Sequence, residues 1–251
     1  HTFGWPATWL IYGAVAIVIA ILAWVLLKPR PQVPPEPRAP FEPAGIRQGI
    51  RQTMNRANGA LQYTVFASVG SLAVAPAVVP PMLISKGVAP PVAGVIAGLA
   101  LVGGTLGSLL IPPLAFSKQR ARVTMLVSAV LAPIFFMATF YAPAYGSAVG
   151  LAALLSFLFG LTMAPVMGIS MGIGQIQPGV NPGNAGILAG VFLTSIGLGA
   201  AVFPVIVGQI VDLSGILAGA WMLAGLAAVS VFVIALFVPE PEVPAGPPPG
   251  H

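Results

Sequence analysis

Hydrophobic residues in this 251-residue chain are grouped in long continuous runs and do not alternate with polar ones. A run of about 20 apolar residues can cross the roughly 30 Å hydrocarbon core of a bilayer as a helix. Continuous runs favour helices over barrel strands, whose residues alternate between lipid and lumen. The predicted fold class is all-α, a polytopic helical membrane protein. The seven predicted spans are Pro6–Leu27, Ala60–Ile84, Val92–Leu114, Val123–Tyr141, Ser147–Ile173, Gly186–Val211 and Ile216–Val238.

Composition supports a chain that is embedded in lipid. Hydrophobic residues make up 57% of the sequence and charged residues 6%, whereas about one quarter of an ordinary soluble domain is charged. The net charge of +5 does not indicate nucleic-acid binding, because the cations lie at the ends of apolar runs and not along one soluble face. The lipid bilayer is therefore a predicted partner, and nucleic acid is not.

The cations predict an orientation in the membrane. If successive spans alternate across the bilayer, nine of the ten Lys and Arg residues fall on one side, and only Lys86 falls on the other. The positive-inside rule makes the basic side cytoplasmic, in what we expect to be a bacterial plasma (inner) membrane. Three cations in the connection IPPLAFSKQRARV are predicted to act as an orientation anchor. The nine cations are Lys28, Arg30, Arg38, Arg47, Arg51, Arg56, Lys118, Arg120 and Arg122.

The sequence between the first two spans differs from the rest. It opens with KPRPQVPPEPRAPFEPAG, which is too proline-rich for a helix and too polar for a membrane span, so we predict an extended linker. It continues as GIRQGIRQTMNRANG, where Ile46, Ile50 and Met54 stand four residues apart beside arginines. This spacing predicts a short amphipathic helix with its apolar side toward the bilayer. A basic juxtamembrane segment without lipid specificity is favoured over a dedicated lipid site.

These observations predict four regions. Residues 1–27 form a transmembrane helix that belongs to an N-terminal bundle, and residues 28–58 form the cytoplasmic linker with its amphipathic helix. Residues 59–238 form a six-helix bundle, and the proline-rich residues 239–251 form a disordered cytoplasmic tail. Because the chain begins at His1 and not at Met, we expect a processed chain or a fragment of a longer one.

The predicted spans lack the residues that most membrane chemistry requires. No Asp, Glu, Lys, Arg or His lies inside a span, although Asp212 stands at an outer edge. Both histidines are terminal and there is no cysteine, so haem ligation within the membrane and thiolate metal sites are excluded. With no paired carboxylates and no nucleophile beside a base, the sequence predicts neither a cofactor nor an enzyme.

Glycines and prolines inside the spans predict close packing and bending. Gly94 and Gly98, Gly103 and Gly107, and Gly186 and Gly190 each stand four apart, a spacing that lets helix backbones approach closely. The fifth span, FGLTMAPVMGISMGIGQ, combines Pro165 with four glycines, so we expect it to bend or break. Interrupted helices near the midplane are where transporters commonly bind, although a kink that only accommodates packing is an equally good interpretation of any single proline. Met163, Met167 and Met171 recur every four residues, and core filling is the favoured interpretation over a binding wall.

Three stretches resemble the major facilitator superfamily of transporters. FGWPATWLIYGAVAIVIAILAWVLL resembles the family's sixth helix, and GTLGSLLIPPLAFSKQRARV resembles the end of the eighth helix with the loop that repeats the family's signature. NPGNAGILAGVFLTSIGLGAAVFPVIVGQIVDLSG resembles the eleventh helix. In the signature-like loop, Phe116 stands where the family has an acidic residue and Gln119 where it has a glycine. A salt-bridge gate in this loop is therefore not expected.

The resemblance implies the sixth to twelfth helices of that fold: one helix, then two inverted three-helix repeats at about 60–141 and 147–238. The implied partner is an N-terminal six-helix half of the same transporter, and the implied activity is alternating-access transport of a small solute. Helices seven and ten of the family tend to face the central cavity, and eight and eleven flank it. The residues that this implies for the substrate cavity are Gln62, Ser68, Thr105, Thr162, Gln175 and Thr194.

Three hypotheses follow from the sequence. The leading one is secondary active transport of a small solute. The second is a non-transporting accessory subunit that packs in a larger membrane complex, and the third, the least supported, is a membrane enzyme. For each candidate hydroxyl the alternative is structural, because Ser and Thr in helices often bond to their own i−4 carbonyl.

Overall fold

The computed structural model describes residues 43–143, 148–181 and 183–240, together with positions 14, 17, 18, 21, 22 and 25, which are helical. The predicted first span as a whole, the proline-rich linker up to residue 42 and most of the predicted tail lie outside the described residues. The chain divides into two units, His1–Glu42 and Pro43–His251, and all the helices below belong to the second.

The described residues fold into helices, with no strand among them. Six apolar stretches are long enough to span a membrane, one of which combines α5 with α6. Predicted spans two to seven are confirmed, and their ends differ from the observed ones by four residues or fewer. The helices are α1 Pro43–Thr53, α2 Arg56–Ser85, α3 Pro90–Ser117, α4 Ala121–Tyr141, α5 Ala148–Met163, α6 Pro165–Gln175, α7 Ala185–Ser214 and α8 Ile216–Phe237.

Packing relates the first three spanning helices to the last three. The most extensive contacts join α3 to α5 and α2 to α7, so the first helix of each triplet packs against the second helix of the other. The third helices of the two triplets, α4 and α8, also pack together. This exchange is the arrangement expected of two inverted repeats that share one bundle.

Glycines determine how closely the helices pack in the two pairs, α3 with α5 and α2 with α7. A Cβ on Gly103 of α3 would overlap the Phe157 carbonyl oxygen of α5, and one on Gly160 would overlap the Ala100 carbonyl oxygen. In the other pair, a Cβ on Gly199 of α7 would overlap the Phe66 carbonyl oxygen of α2. Small residues of this kind allow van der Waals contact between backbones, which is a principal source of helix association in lipid.

The other glycine pairs of the sequence do not share this role. For Gly94 and Gly98 of α3, no described atom of a neighbouring helix lies within 4 Å of the position that a Cβ would take, and the same holds for Gly186 and Gly190 of α7. The same four-residue spacing of glycines therefore occurs both on surfaces that pack closely against another helix and on surfaces that do not. Of the three pairs, only Gly103 and Gly107 face a neighbouring helix among the described residues.

The apolar core lies in two layers stacked along the membrane normal. One layer contains Val74, Phe136 and Phe159 and lies toward the side of Lys86. The other contains Met125 and Phe192 and lies toward the side of the α3–α4 loop, called the basic side below. Along α2 the change of layer falls between Val65 and Ala67, and along the fifth span it falls between Met163 and Val166. The middle of the bundle thus lies between two packed layers.

Two cations bond to the ends of helices. Lys86, just beyond α2, donates from Nζ to the carbonyl oxygens of Phe140 and Ala142 at the end of α4. Arg122, at the start of α4, donates from Nη2 to the Ala235 carbonyl oxygen at 2.7 Å. The usual i+4 donor for Ala235 would be residue 239, which is a proline without N–H. Cations that satisfy carbonyls here also complement the helix dipole.

We predict that Gly103→Ala lowers the free energy of unfolding by about 1–3 kcal/mol, because the methyl group must push α3 away from α5. Gly98→Ala is the matched control in the same helix, and it should change stability by no more than about 0.5 kcal/mol. Thermal unfolding in detergent measures both. Equal melting temperatures for the two variants would contradict the close α3–α5 contact.

We predict that Lys86→Met lowers the free energy of unfolding by about 1–2 kcal/mol, since the last carbonyls of α4 lose a charged donor. Lys118→Met is the control, because Lys118 also directly follows a spanning helix but lies at the opposite end of the bundle, away from the α4 terminus that Lys86 caps. The same thermal unfolding assay compares the two. If Lys118→Met destabilises the protein as much as Lys86→Met, the effect is one of general charge and not of the α4 terminus.

Candidate functional site

The fifth span is interrupted at its centre. α5 ends at Met163 and Pro165 opens α6, while Ala164 between them keeps right-handed helical dihedrals (φ −66°, ψ −35°), so the interruption is one of hydrogen bonding and the helical path continues. Proline has no N–H, so the Leu161 carbonyl oxygen loses its i+4 donor. A Cβ on Gly107 of α3 would overlap this same oxygen, so α3 covers the freed carbonyl with backbone instead of lipid. The expected irregularity is therefore present as an interruption of the hydrogen bonding at Ala164, the sixteenth of the 27 residues of the span.

A cavity of about 240 Å³ lies beside the break; we call it the midplane cavity. Its walls come from the middles of α2 and α3 and from the turn between α5 and α6. Because helices rise by 1.5 Å per residue, positions near the centre of a 28- or 30-residue helix lie near the middle of the bilayer. The lining residues are Ser68, Val69, Leu72, Leu101, Gly104, Thr105, Ser108, Met163, Ala164 and Met167.

Three hydroxyl groups give the midplane cavity its polar character. Thr105 Oγ1 donates to the Leu101 carbonyl oxygen at 2.9 Å, and Ser108 Oγ donates to the Thr105 carbonyl oxygen at 3.0 Å. Both protons are therefore used within α3, and the oxygens keep lone pairs that can accept. Ser68, only 5% exposed, contributes the third hydroxyl from α2.

The rest of the lining is apolar or small, and no ionisable residue is among the described residues that form it. Met163 and Met167 form the wall on the side of the break, which places two of the three repeated methionines at the cavity and not solely in the core. Methionine side chains are flexible and adapt to irregular shapes. The cavity can therefore hold an uncharged molecule with an apolar part and a few hydrogen-bonding groups.

The structure brings together two of the six residues predicted from the sequence, Ser68 and Thr105. The other four do not line the midplane cavity. Gln62 donates to Met54 Sδ at 3.0 Å, and Gln175 is exposed at the end of α6. Thr162 and Thr194 bond to their own i−4 carbonyl oxygens, at 2.8 Å and 2.9 Å. These two hydroxyls show the local bonding that the sequence left open as an alternative.

Sequence reasoning missed Ser108, although a signal for it existed. Ser108 lies three residues after Thr105, which places both on one face of α3. It missed Met163 and Met167 as lining residues because their spacing suits a packed face equally well. It had no means to find Ala164, whose position depends on how α5 ends.

The end of α3 and the α3–α4 loop contain both departures from the signature loop that the sequence resembles. Gln119 has φ of 53°, the left-handed region that favours glycine. Its N–H bonds to the Phe116 carbonyl oxygen at 3.1 Å, and the Arg120 N–H bonds to the Ala115 carbonyl oxygen at 2.9 Å, which is a Schellman ending. The ring of Phe116 fills the space above Gly172 of α6. Where the family has a carboxylate, this chain therefore has an apolar contact between α3 and α6.

A second cavity of about 140 Å³ lies between α2 and α7, toward the side of Lys86. Among the described residues that line the two cavities, the exposed Asp212 is the one that is ionisable. No group of three or more metal-ligating residues occurs in the part of the chain that the structure describes. The midplane cavity is the larger of the two and lies beside the interruption of the fifth span, so it is the stronger candidate for solute binding.

Comparison with known proteins agrees with this architecture. The family model described as Major Facilitator Superfamily matches residues 1–175, which is more than half of the chain. The match runs from the first predicted span to the end of α6 and includes all ten residues that line the midplane cavity. No curated protein matches the chain.

The matched family, the six apolar helices and the paired packing of the triplets lead to one assignment. This chain is an integral membrane protein that belongs to the Major Facilitator Superfamily of membrane transporters, and its described helices form one half of that fold.

Proposed function

We propose that the protein carries out secondary active transport of a small solute by alternating access, and that the midplane cavity is this half's part of the substrate site. The observation that carries the proposal is a cavity at the centre of the bundle beside an interrupted helix. Binding sites at interrupted helices near the midplane are common in secondary transporters.

The lining residues define the chemistry of the solute. Thr105 and Ser108 have committed their protons to α3, so they act as acceptors, whereas the Ser68 hydroxyl can donate or accept. A carboxylate or phosphate would meet few donors on these walls. The proposed solute is therefore uncharged on the part that contacts this half, and it carries N–H or O–H groups that donate to α3.

The remaining predicted residues keep a proposed place along the transport pathway. Thr194 is exposed on α7, and Gln62 and Gln175 lie toward the basic side, away from the midplane cavity. We propose that they contact the solute during entry or exit. Thr162 is half-buried, and its hydroxyl group bonds to two carbonyl oxygens of α5. We propose that it contributes to the shape of the cavity wall and does not bind the solute directly.

The proposal includes a second half. Alternating access requires two bundles that rock about a shared site, and an N-terminal six-helix half with the first predicted span as its last helix is the proposed partner. Leu101, which lines the cavity, is an exposed apolar residue of α3 and suits contact with apolar helices. The proposed regions are those of the sequence: 1–27, 28–58, 59–238 and 239–251.

The proposed orientation follows from charge. The loop that contains Lys118 and Arg120 and the arginines of α1 lie on one side, which we place in the cytoplasm of a bacterial cell. Lys86 lies on the other side, where its bonds to α4 give it a structural role. Nothing in the described site resembles an enzyme centre, and we propose no catalytic activity.

Uptake by proteoliposomes that contain the full-length protein tests the transport proposal. We expect an imposed proton or sodium gradient to drive accumulation of at least one uncharged solute from a panel of polyols, amides and neutral nucleosides, with an ionophore abolishing it. If no solute accumulates above protein-free liposomes under either gradient, the accessory-subunit hypothesis replaces transport.

For the solute that accumulates, Thr105→Val should lower kcat/KM about tenfold, because the acceptor is lost while the shape is kept. Ser117→Ala is the matched control: Ser117 also lies on α3 and bonds to its own helix, at the Leu114 carbonyl oxygen, but outside the cavity. Unchanged kcat/KM in Thr105→Val would remove the midplane cavity from the pathway.

Single-cysteine labelling tests the orientation, since the chain has no cysteine. In intact cells, Ser85→Cys should react with a membrane-impermeant maleimide, and Ser117→Cys should react only after the cells are permeabilised. Both residues are exposed at the ends of spanning helices. The reverse pattern of labelling would invert the proposed topology.

A further inference from the structure

The exposed side of α1 combines cations with apolar side chains. Arg47 and Arg51 are exposed, and Ile50 and Met54 are 40% and 42% exposed. The Met54 N–H still bonds to the Ile50 carbonyl oxygen at 2.8 Å, so the helical path continues through Met54. We call these four residues the α1 surface. At 100° per residue the two apolar positions lie directly beside the two basic ones.

The opposite side of α1 is attached to the bundle. Thr53 is fully buried, and a Cβ on Gly49 would overlap the side chain of Ile187 in α7. Arg47, Arg51 and Ile50 therefore lie on the side of α1 away from the bundle. Met54 lies at the edge of this side, where it is partly exposed and its Sδ accepts from Gln62 Nε2 of α2. Packing fixes the orientation of α1. A helix held in this way presents its exposed face without any further folding cost.

No acidic residue occurs in the sequence from Pro43 to Val211, so neither α1, nor α2, nor the start of α7 on which α1 packs offers a carboxylate to Arg47 or Arg51. Arg56, the first residue of α2, is also exposed and adds a third cation nearby. A basic surface flanked by exposed aliphatic and thioether side chains matches a membrane interface, where anionic headgroups lie directly above hydrocarbon. A soluble anion would match the arginines but leave Ile50 and Met54 in water.

We propose that the α1 surface binds anionic phospholipid headgroups of the leaflet on the basic side. Arg47 and Arg51 pair with headgroup phosphates, and Ile50 and Met54 insert into the acyl boundary. The partner is thus an acidic lipid such as phosphatidylglycerol. The proposal differs from a nonspecific basic segment, because a rigid helix holds the basic and the apolar side chains at fixed positions next to each other.

The contacts of α1 connect headgroup binding to the rest of the bundle. Asn58 Nδ2, at the start of α2, donates to the Thr53 carbonyl oxygen at 2.6 Å. A Cβ on Gly179, in the loop between α6 and α7, would lie 2.8 Å from the Gln52 carbonyl oxygen. The end of α1 therefore contacts Asn58 of α2 and the loop that follows the fifth span, so lipid binding that stabilises α1 against local opening also stabilises the loop at Gly179.

Hydrogen exchange of the full chain in nanodiscs tests the proposal. In phosphatidylcholine mixed with phosphatidylglycerol, the amides of residues 43–54 should exchange about tenfold more slowly than in phosphatidylcholine alone, and those of residues 176–181 should also slow. About 1 M NaCl, where the Debye length is about 3 Å, should remove most of the difference. Equal exchange in the two lipids would overturn the proposal.

Variants and a soluble anion separate lipid binding from general charge effects. Arg47→Gln with Arg51→Gln should abolish the lipid dependence, whereas Lys118→Gln with Arg120→Gln, on the same side but outside α1, should retain it. Unchanged exchange in α4 and α5 shows that each variant is folded. Inorganic phosphate added to phosphatidylcholine nanodiscs should give no protection, and protection equal to that of phosphatidylglycerol would overturn the assignment to lipid.

Discussion

Hydrocarbon offers no hydrogen bonds, so each backbone carbonyl that a helix leaves free must be satisfied or covered by the protein itself. This constraint explains the least regular parts of the bundle. At the centre, Pro165 frees the Leu161 carbonyl oxygen and Gly107 lets α3 cover it. At the helix ends, Lys86 and Arg122 reach carbonyls of α4 and α8. The break that shapes the midplane cavity is possible only because such a cover is present.

The same constraint separates rigid regions from the region available to a solute. Two apolar layers fill the bundle above and below its middle, and glycines hold the exchanged pairs of helices in backbone contact. Between the layers, α2, α3 and the interrupted span leave space lined by hydroxyls and methionines. The arrangement leaves a cavity with three hydroxyl groups inside the membrane, while the packed layers and the helix contacts around it stay intact.

The sequence predicts most of the fold because length and hydropathy act locally. Six spans, the break at Pro165 and the amphipathic α1 all follow from neighbouring residues. The site is harder to predict from the sequence, since it depends on which faces of the helices come together. Gly98 and Gly103 look alike in sequence but only one touches α5, and Thr105 and Thr194 look alike but only one lines the cavity. The role of Lys86 was hidden for the same reason, because its acceptor at Phe140 is 54 residues away.

The two cation contacts have a mechanical consequence. Lys86 fastens the far end of α4 to the end of α2, and Arg122 fastens the near end of α4 to the end of α8. Because both ends of α4 are held in this way, α4 cannot slide along its axis past α2 and α8 without breaking a charged hydrogen bond. These three helices, α2, α4 and α8, are therefore expected to move as one unit in any rearrangement of this half.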